Sequence, residues 1–293
     1  MHDNNTIGQR RTLYVTDMDG TLLDLYSRVS PESASIIHRL SREGALITVA
    51  TARTPATVVP LMRDCHTSVP YVTMTGAALW NPVEEKYGEI ALMPDDTAAR
   101  VREVIESFGL HPFIYTITPD NRLLAAYHNG PMNRAERKFV EERTGLALKR
   151  FHLDNPGGMA PFLPRTILYF AIGDAEATSA AAEALTRMGR CAVSSYMDNT
   201  VPGMGILEVF ASGIDKGAVV KRLASRLGAD RIVAFGDNLN DLPLFAVADI
   251  PVAVENALPE VKAAAEVVIG TNDTDAVARF IESDFMTDCY AKN

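Results

Sequence analysis

The feature that most constrains the fold is a regular alternation of short apolar segments and helix starts in the first quarter of the chain. Residues 13–15, 45–50 and 71–74 are apolar runs with the length of buried strands. Helix starts with proline at the first helical position follow the first two runs, at Ser30-Pro31 and Thr54-Pro55. This β-α-β-α-β order predicts a parallel sheet with helices on both faces.

The same pattern resumes towards the carboxyl end. A helix is predicted for residues 215–227, closed by Gly228. Three further apolar runs indicate strands at residues 232–235, 250–254 and 266–269, and the helices between and after them start near Asn240, Pro259 and Asp273. We therefore predict a doubly wound α/β core formed by residues 1–86 and 204–293.

Between these halves, the order of predicted elements changes: residues 87–203 have neighbouring strands and predict an inserted α/β domain. Strands are predicted at residues 113–118, 123–127, 166–172 and 191–196, with helices at residues 95–108, 131–143 and 174–188. An exposed loop is expected at Asn155-Pro156-Gly157-Gly158.

Composition and charge narrow the class of protein. Of the 293 residues, 47% are hydrophobic, which is enough for a buried core, and the net charge is −9. An acidic chain repels nucleic acid and acidic membrane surfaces, and no basic cluster offsets this charge. The basic pair Lys149-Arg150 is interpreted as solvated surface. Neither a nucleic-acid partner nor a protein partner is implied.

Three observations predict a cytoplasmic location. The first eleven residues are polar, and no apolar run approaches the roughly 18 residues of a membrane span. Cys65, Cys191 and Cys289 are scattered without metal-ligand spacing, as is usual in a reducing compartment.

The strongest local motif is Asp17-Met18-Asp19-Gly20-Thr21-Leu22, directly after the first predicted strand. Ligands of doubly wound sheets bind at the carboxyl ends of the strands. Two carboxylates two positions apart would repel each other there unless a cation intervened, and oxygen ligands favour Mg²⁺. The alternative is an ordinary surface turn, since Asp-Gly pairs are common in loops.

A second motif, Gly236-Asp237-Asn238-Leu239-Asn240-Asp241, also follows a predicted buried strand. Its acidic and amide side chains suit a metal or a phosphate, although Asn and Asp are also good helix caps.

Two shorter signals belong with these motifs. Thr51-Ala52-Arg53 ends the second predicted strand, where a following helix start offers amide donors to a phosphate. Lys216 lies in the first turn of its helix, where a cation opposes the macrodipole and therefore requires an anionic partner. The alternative for Lys216 is that it extends to solvent.

Taken together, these four motifs resemble the haloacid dehalogenase superfamily, specifically its Cof-type sugar-phosphatase-like branch. They occur in that branch's order, and the resemblance covers nearly the whole chain. Two downstream segments also match, Val252-Ala253-Val254-Glu255-Asn256-Ala257 and Gly270-Thr271-Asn272-Asp273. The resemblance implies a Rossmann-like core, a type IIB α/β cap over residues 87–203, and a phosphatase of small phosphorylated metabolites such as sugar phosphates.

The resemblance also implies roles for individual residues. Asp17 would be the nucleophile that forms an aspartyl-phosphate, and Asp19 would be the general acid and base. Mg²⁺ would be held by Asp17, Asp237 and the main-chain carbonyl of Asp19, with support from Asp241. The phosphoryl group would be bound by the remaining residues of the motifs: the amides of Met18 and Ala52, and the side chains of Thr51, Lys216 and Asn240.

The chain departs from the branch's pattern at two positions. Ala52 stands where glycine is usual, which makes close backbone approach to phosphate harder. Thr75 stands where asparagine is usual before Gly76-Ala77, which puts substrate preference in doubt. Arg53, Thr75 and Gly76 are candidate substrate contacts.

Contacts from the insertion to the substrate are predicted at Leu163-Pro164-Arg165 and His128-Asn129-Gly130. The histidines of the insertion, His111, His128 and His152, lack metal-ligand spacing and are expected to have ordinary structural roles.

Three other functions stay open at this stage. A phosphomutase shares the aspartyl-phosphate chemistry but returns the phosphoryl group to its substrate. A non-catalytic sensor of a phosphorylated ligand would not need the acid–base carboxylate of Asp19. A nucleotide-binding domain is disfavoured because no glycine-rich phosphate loop follows the first strand.

Overall fold

The structure is a computed structural model that describes residues 11–154, 165–198 and 201–290, with side chains up to residue 287. The loop predicted at residues 155–158, the candidate contacts Leu163 and Pro164, and the side chain of Cys289 lie outside this description. Within the described ranges, no helix has the length and apolar character needed to cross a membrane.

The secondary structure alternates along most of the chain. The strands are β1 Thr12–Thr16, β2 Leu46–Val49, β3 Tyr71–Thr73, β4 Ala78–Asn81, β5 Lys86–Ile90, β6 Phe113–Ile117, β7 Leu124–His128, β8 Lys149–Leu153, β9 Thr166–Asp174, β10 Cys191–Met197, β11 Met204–Ala211, β12 Arg231–Gly236, β13 Ile250–Val254 and β14 Val267–Ile269. The helices are α1 Pro31–Arg42, α2 Pro55–Leu61, α3 Asp95–Ser107, α4 Arg134–Arg143, α5 Ala175–Met188, α6 Lys216–Leu227, α7 Leu242–Phe245, α8 Pro259–Ala264 and α9 Ala276–Tyr290.

The chain forms two compact units. The first consists of the residues up to 76, residues 81–84 and the residues from 215 onward. Its sheet has the strand order β14-β13-β12-β1-β2, and every pair in that sheet is parallel. The central strands β1 and β12 are buried along their whole length, as expected when helices cover both faces of a parallel sheet. The doubly wound core predicted from the sequence is confirmed.

Local capping explains where two of its helices begin and where one of them ends. The hydroxyl of Ser30 accepts a hydrogen bond from the amide of Ser33 at 2.9 Å, so α1 starts as the Ser-Pro pair predicts. The carboxylate of Asp215 accepts from the amide of Ala218 at 2.7 Å and starts α6. Gly228, with φ of 63°, ends α6 in the left-handed region.

The second unit comprises residues 77–80 and 85–214. Its six-stranded sheet has the order β10-β11-β9-β6-β7-β8, antiparallel except between β7 and β8. One apolar core joins α3 and α5 to this sheet through residues such as Val101, Ile105 and Leu185. Because β11 belongs to this sheet, the unit continues past residue 203, and its residues 77–80, 85 and 86 precede the insertion predicted at residues 87–203.

The interpretation of Lys149-Arg150 as a solvated pair is wrong for Lys149. The pair starts β8, and alternation along that strand leaves Arg150 exposed while Lys149 is only 3% exposed. The ammonium of Lys149 donates to the hydroxyl of Tyr115 at 2.7 Å and lies over the rings of Tyr115, Phe139 and Phe151. A lysine two positions before an aromatic residue in a strand lies on the same face as that residue and can face inward when aromatic rings surround it.

Candidate active site

The candidate site lies in the first unit, at the carboxyl ends of β1 and β12. From β1 the chain winds to β2 on one side of the sheet, whereas β12, β13 and β14 extend the sheet on the other side. Such a reversal of strand order leaves a crevice for ligands between the two central strands. Asp17 follows β1 there, and its amide donates to the carbonyl of Phe235 in β12 at 2.9 Å.

A buried lysine joins the first and second motifs. The ammonium of Lys216 donates to Asp17 Oδ1 at 2.6 Å and to Asp241 Oδ1 at 2.7 Å. Lys216 is 1% exposed, so the alternative of a lysine extending to solvent is excluded. Burial lowers the pKa of Lys216, but the charges of the two carboxylates raise it by more, so the pKa lies above its ordinary value. Lys216 is therefore a fixed positive charge beside Asp17.

Three carboxylates converge in the same place. Oxygen atoms of Asp17, Asp237 and Asp241 lie within 4.8 Å of one another. Burial raises the pKa of Asp17, Lys216 opposes that shift, and Asp241 and Asp237 add to it. Burial and the charge of Asp241 raise the pKa of Asp237 to about 6. One lysine does not offset three clustered carboxylates, so the cluster fits a hard divalent cation that prefers oxygen ligands, such as Mg²⁺.

Asp241 is also the structural centre of the second motif. It is fully buried, and its Oδ2 accepts from the amides of Asp237 at 3.1 Å and Asn238 at 3.2 Å. The helix-capping alternative considered for this motif is thus realised by Asn238 and Asp241, which form a reciprocal capping box. Asn240 is not part of the box, and its side chain is exposed.

The side chain of Asp19 lies apart from this cluster. It is 54% exposed, and Arg53 donates to it from Nε at 2.7 Å and from Nη2 at 2.5 Å. This bidentate contact brings two motifs together that are 34 residues apart in the chain.

The loop after β2 completes one side of the site. Thr51 is buried, and its hydroxyl accepts from the amide of Arg53 at 3.1 Å. Within the described part of the chain, the neighbouring amide of Ala52 has no hydrogen-bond acceptor. The amide of Thr75 donates to the carbonyl of Thr51 at 3.0 Å, which ties the loop after β3 to this one.

Thr75 and Gly76 lie beside the start of α6. Thr75 has φ of 56°, a left-handed conformation that asparagine adopts more readily than threonine. A β-carbon on Gly76 would lie 2.8 Å from the carbonyl oxygen of Asp215, so glycine is required for this close approach. Met18 is fully buried next to the nucleophile candidate.

Thr21 makes a contact that the sequence does not reveal. Its hydroxyl donates to Asp237 Oδ1 at 3.0 Å and so links the loops after β1 and β12. A β-carbon on Gly20 would collide with the Asp237 carboxylate, which shows how closely the two loops pack. A hydroxyl four residues after a candidate nucleophile was the only available signal.

Two candidate substrate contacts of the second unit have partners within that unit. His128 is 1% exposed, and its ring packs against that of Phe113 with the centroids 4.5 Å apart. Arg165 donates from Nε to the carbonyl of Ile117 at 2.7 Å and from Nη2 to Asn121 Oδ1 at 2.8 Å. Both side chains have structural roles in this conformation.

Comparison with known proteins gives consistent matches. The sequence profile of the haloacid dehalogenase-like hydrolases matches residues 14–281. The 5-amino-6-(5-phospho-D-ribitylamino)uracil phosphatase YitU of Bacillus subtilis is 24% identical over 276 residues, covering 93% of this chain and 97% of its own length. The pyridoxal phosphate phosphatase YbhA of Escherichia coli is 23% identical over 273 residues, covering 91% and 96%.

Solved structures share the fold. That of the subclass IIB sugar phosphatase BT4131 superposes with a TM-score of 0.70 and 19% identity, covering 94% of this chain and 99% of that protein. At 19% identity, this similarity shows a shared fold only.

Proposed function

The chain belongs to the haloacid dehalogenase-like hydrolase family, and we propose that it cleaves small phosphate monoesters with Mg²⁺ through an aspartyl-phosphate on Asp17. The family match confirms the resemblance drawn from the four motifs. Relatives that align over more than nine-tenths of the chain are phosphatases, so the enzyme is a phosphoric monoester hydrolase acting on small phosphorylated metabolites.

The observation that carries the proposal is the position of the Asp17 carboxylate. It is buried, it accepts a hydrogen bond from Lys216, and it lies beside Asp237 and Asp241 at the reversal point of the sheet. A carboxylate and a phosphoryl group are both anionic and repel each other, so attack on phosphorus requires positive charge nearby. Lys216 supplies part of this positive charge.

The proposed reaction has two displacements at phosphorus. An oxygen of Asp17 forms a bond to phosphorus while the bond from phosphorus to the alcohol oxygen breaks, and Asp19 donates a proton to the leaving oxygen. Asp19 then takes a proton from water, whose oxygen attacks phosphorus and releases Asp17. When bound by Asp17, Asp237 and the carbonyl of Asp19, with support from Asp241, Mg²⁺ would offset charge on the transferring group.

The phosphoryl oxygens would be held by the loops around Asp17. On the β2 side lie the hydroxyl of Thr51 and the amide of Ala52, which has no acceptor among the described residues, and the amide of Met18 lies beside the nucleophile. Lys216 and the exposed Asn240 complete the proposed set. Ala52 offers its amide in spite of its methyl group.

Arg53 is proposed to alternate between two anionic partners. It now holds Asp19 through two hydrogen bonds. A substrate phosphate would compete for the guanidinium and free Asp19 to turn towards the leaving group. Thr75 and Gly76, at the neighbouring loop, stay candidate substrate contacts.

Replacing the nucleophile tests the mechanism. Phosphate release from p-nitrophenyl phosphate is measured with Mg²⁺, and Asp17→Asn is expected to lower kcat by at least about a thousandfold. Asp64→Asn, at an exposed carboxylate of the same unit, is the control and should behave as wild type. A variant that retains magnesium-dependent turnover would exclude Asp17 as the nucleophile.

The same assay separates the alternatives. A phosphomutase would require a bisphosphate activator and would release little free phosphate, and a non-catalytic sensor would release none. We propose that the natural substrate has the size of those named for the relatives. A panel containing 5-amino-6-(5-phospho-D-ribitylamino)uracil, pyridoxal phosphate and sugar phosphates, ranked by kcat/KM, tests this.

A further inference from the structure

Two asparagines outside the four motifs contact the nucleophile loop, residues 17–23. Asn256 follows β13 and Asn272 follows β14, both at the carboxyl edge of the sheet. The side-chain amide of Asn256 donates to the carbonyl of Gly20 at 2.7 Å, and that of Asn272 donates to the carbonyl of Leu23 at 2.7 Å. We call these two residues the asparagine clamp.

The two members of the clamp are also joined to each other. The backbone amide of Asn272 donates to Asn256 Oδ1 at 3.0 Å. Because the side-chain oxygen of Asn256 is engaged by a donor, its nitrogen must be the atom that faces Gly20. The position needs a donor and an acceptor in one short side chain, which asparagine has and aspartate lacks.

The clamp residues follow strands that are not neighbours of β1 in the sheet. β13 lies two strands and β14 three strands from β1, which is about 10 and 14 Å at the usual strand spacing. The loop after β13 crosses β12 to reach Gly20. It also binds the loop of β12 on the way, since the amide of Leu258 donates to the carbonyl of Asp237 at 2.9 Å.

One segment therefore holds both acidic loops. Through Asn256 it holds the loop that carries Asp17 and Asp19, and through Leu258 it holds the loop that carries Asp237. The loops themselves touch at Thr21 and Gly20. The spacing between the carboxylates that would share a cation is thus held both by direct contacts of the two loops and by this segment outside the motifs.

We propose that Asn256, supported by Asn272, is a positioning residue that fixes the separation of the Asp17 and Asp237 loops for magnesium binding and phosphoryl transfer. This inference rests on the proposed function. Residues that orient metal ligands through hydrogen bonds commonly change metal affinity or activity by ten- to a hundredfold when they are replaced. Loss of the clamp should therefore impair the site more than the fold, because Asn256 is exposed.

The test compares Asn256→Asp, which keeps the shape but removes the donor, with Asn256→Ala and Asn272→Ala. The control is Glu255→Gln, a neighbour in the same loop whose side chain pairs with Lys262. Two quantities are measured in the full-length protein: the rise in melting temperature on adding Mg²⁺, and the Mg²⁺ concentration for half-maximal phosphatase activity.

Both Asn256 variants should need about tenfold more Mg²⁺ for half-maximal activity, with a lower kcat. Their melting temperatures without Mg²⁺ should stay near wild type, and their Mg²⁺-induced shift should shrink. Asn272→Ala should give a smaller effect in the same direction, and Glu255→Gln none. The alanine variant shows that the effect does not come from the charge added by aspartate.

The inference is overturned if Mg²⁺ stabilises the wild type and the Asn256 variants equally, or does not stabilise the wild type. It is also overturned if activity falls only as far as the melting temperature without Mg²⁺ falls. The proposed function fails on a different result. If Mg²⁺ stabilises the wild type but no ester releases phosphate, phosphatase activity is refuted, while the Mg²⁺-induced shifts in melting temperature still test the clamp.

Discussion

At the scale of single residues, Lys149 in the second unit is a buried cation whose neighbours are aromatic. Its ammonium lies 4.4 Å from the ring centre of Tyr115 and 4.7 Å from those of Phe139 and Phe151. Among the described residues, no carboxylate pairs with it. Burial lowers the pKa of Lys149 well below its ordinary value, and the charge of Arg143 lowers it further.

This burial predicts a pH-dependent stability. The unfolded chain holds a proton on Lys149 up to its ordinary pKa of about 10.4, whereas the folded chain gives it up at lower pH. The unfolded state therefore binds more protons between these two pKa values, and the free energy of unfolding rises with pH there by up to about 1.4 kcal/mol per pH unit. Lys149→Met removes this dependence.

Urea unfolding between pH 8 and pH 10 measures the effect. The stability of Lys149→Met relative to wild type should decrease as the pH rises, because only the wild type gains stability from this residue. Lys138→Met, at an exposed lysine of α4, is the control and should show a constant difference. A constant difference for Lys149→Met as well would contradict the lowered pKa.

The convergence of several candidate site residues could be predicted from the sequence, but the partners of others could not. Asp17, Lys216, Asp237 and Asp241 converge because parallel strands end at one edge of a sheet. The contact between Arg53 and Asp19 could not be predicted, because the sequence does not specify the directions of side chains that follow different strands.

At the scale of elements, the start of α6 shows a glycine that is required by packing. Gly217 is the second residue of the helix, and glycine has a lower intrinsic helix propensity than alanine. Its α-carbon packs against the carbonyl of Pro243 in α7, and a β-carbon would collide with that oxygen. This contact keeps Lys216, the preceding residue, close to Asp241.

Gly217→Ala should therefore destabilise the protein by about 1–3 kcal/mol, in spite of the better helix propensity of alanine. It should also lower phosphatase activity by displacing Lys216. Gly88→Ala in β5 is the matched control, because a β-carbon there would meet only a carbonyl of Leu79 at 3.8 Å. Urea unfolding measures both variants, and a Gly217→Ala protein as stable as wild type would refute the packing argument.

Most elements of the first unit could be predicted because their ends carry local signals, as Asp215 and Gly228 do for α6. The second unit was harder. β8 begins with two basic residues, a pattern that predicts solvated surface, and residues 204–211 lie within the predicted core range although they form β11, which pairs with β9 and β10. Which sheet a strand joins depends on distant partners, so its own residues do not determine it.

At the scale of the whole molecule, the second unit is inserted between adjacent points of the first. Gly76 and Asp215 flank the insertion, and a β-carbon on Gly76 would lie 2.8 Å from the Asp215 carbonyl oxygen. The five-stranded sheet of the first unit and the six-stranded sheet of the second have no strand in common. These features predict that each unit folds separately.

A variant with residues 77–214 replaced by a short glycine-serine linker keeps all of the first unit except residues 81–84 and should unfold cooperatively, and so should residues 77–214 alone. Mg²⁺ should raise the melting temperature of the first protein and not of the second, since the carboxylate cluster belongs to the first unit. Circular dichroism during thermal unfolding measures this. Failure of either protein to unfold cooperatively would show that its folding depends on the other unit.

The sequence by itself determined the fold class, the order of the motifs and the residue types that meet at the candidate site. These follow from local patterns: apolar runs form strands, capping residues bound helices, and the ends of parallel strands meet. Only the tertiary structure decided that Lys149 is buried, that Arg53 holds Asp19 and that Asn256 reaches Gly20. The physical reason is that each of these contacts joins residues distant in the chain, and their separation is set by the packing of intervening elements.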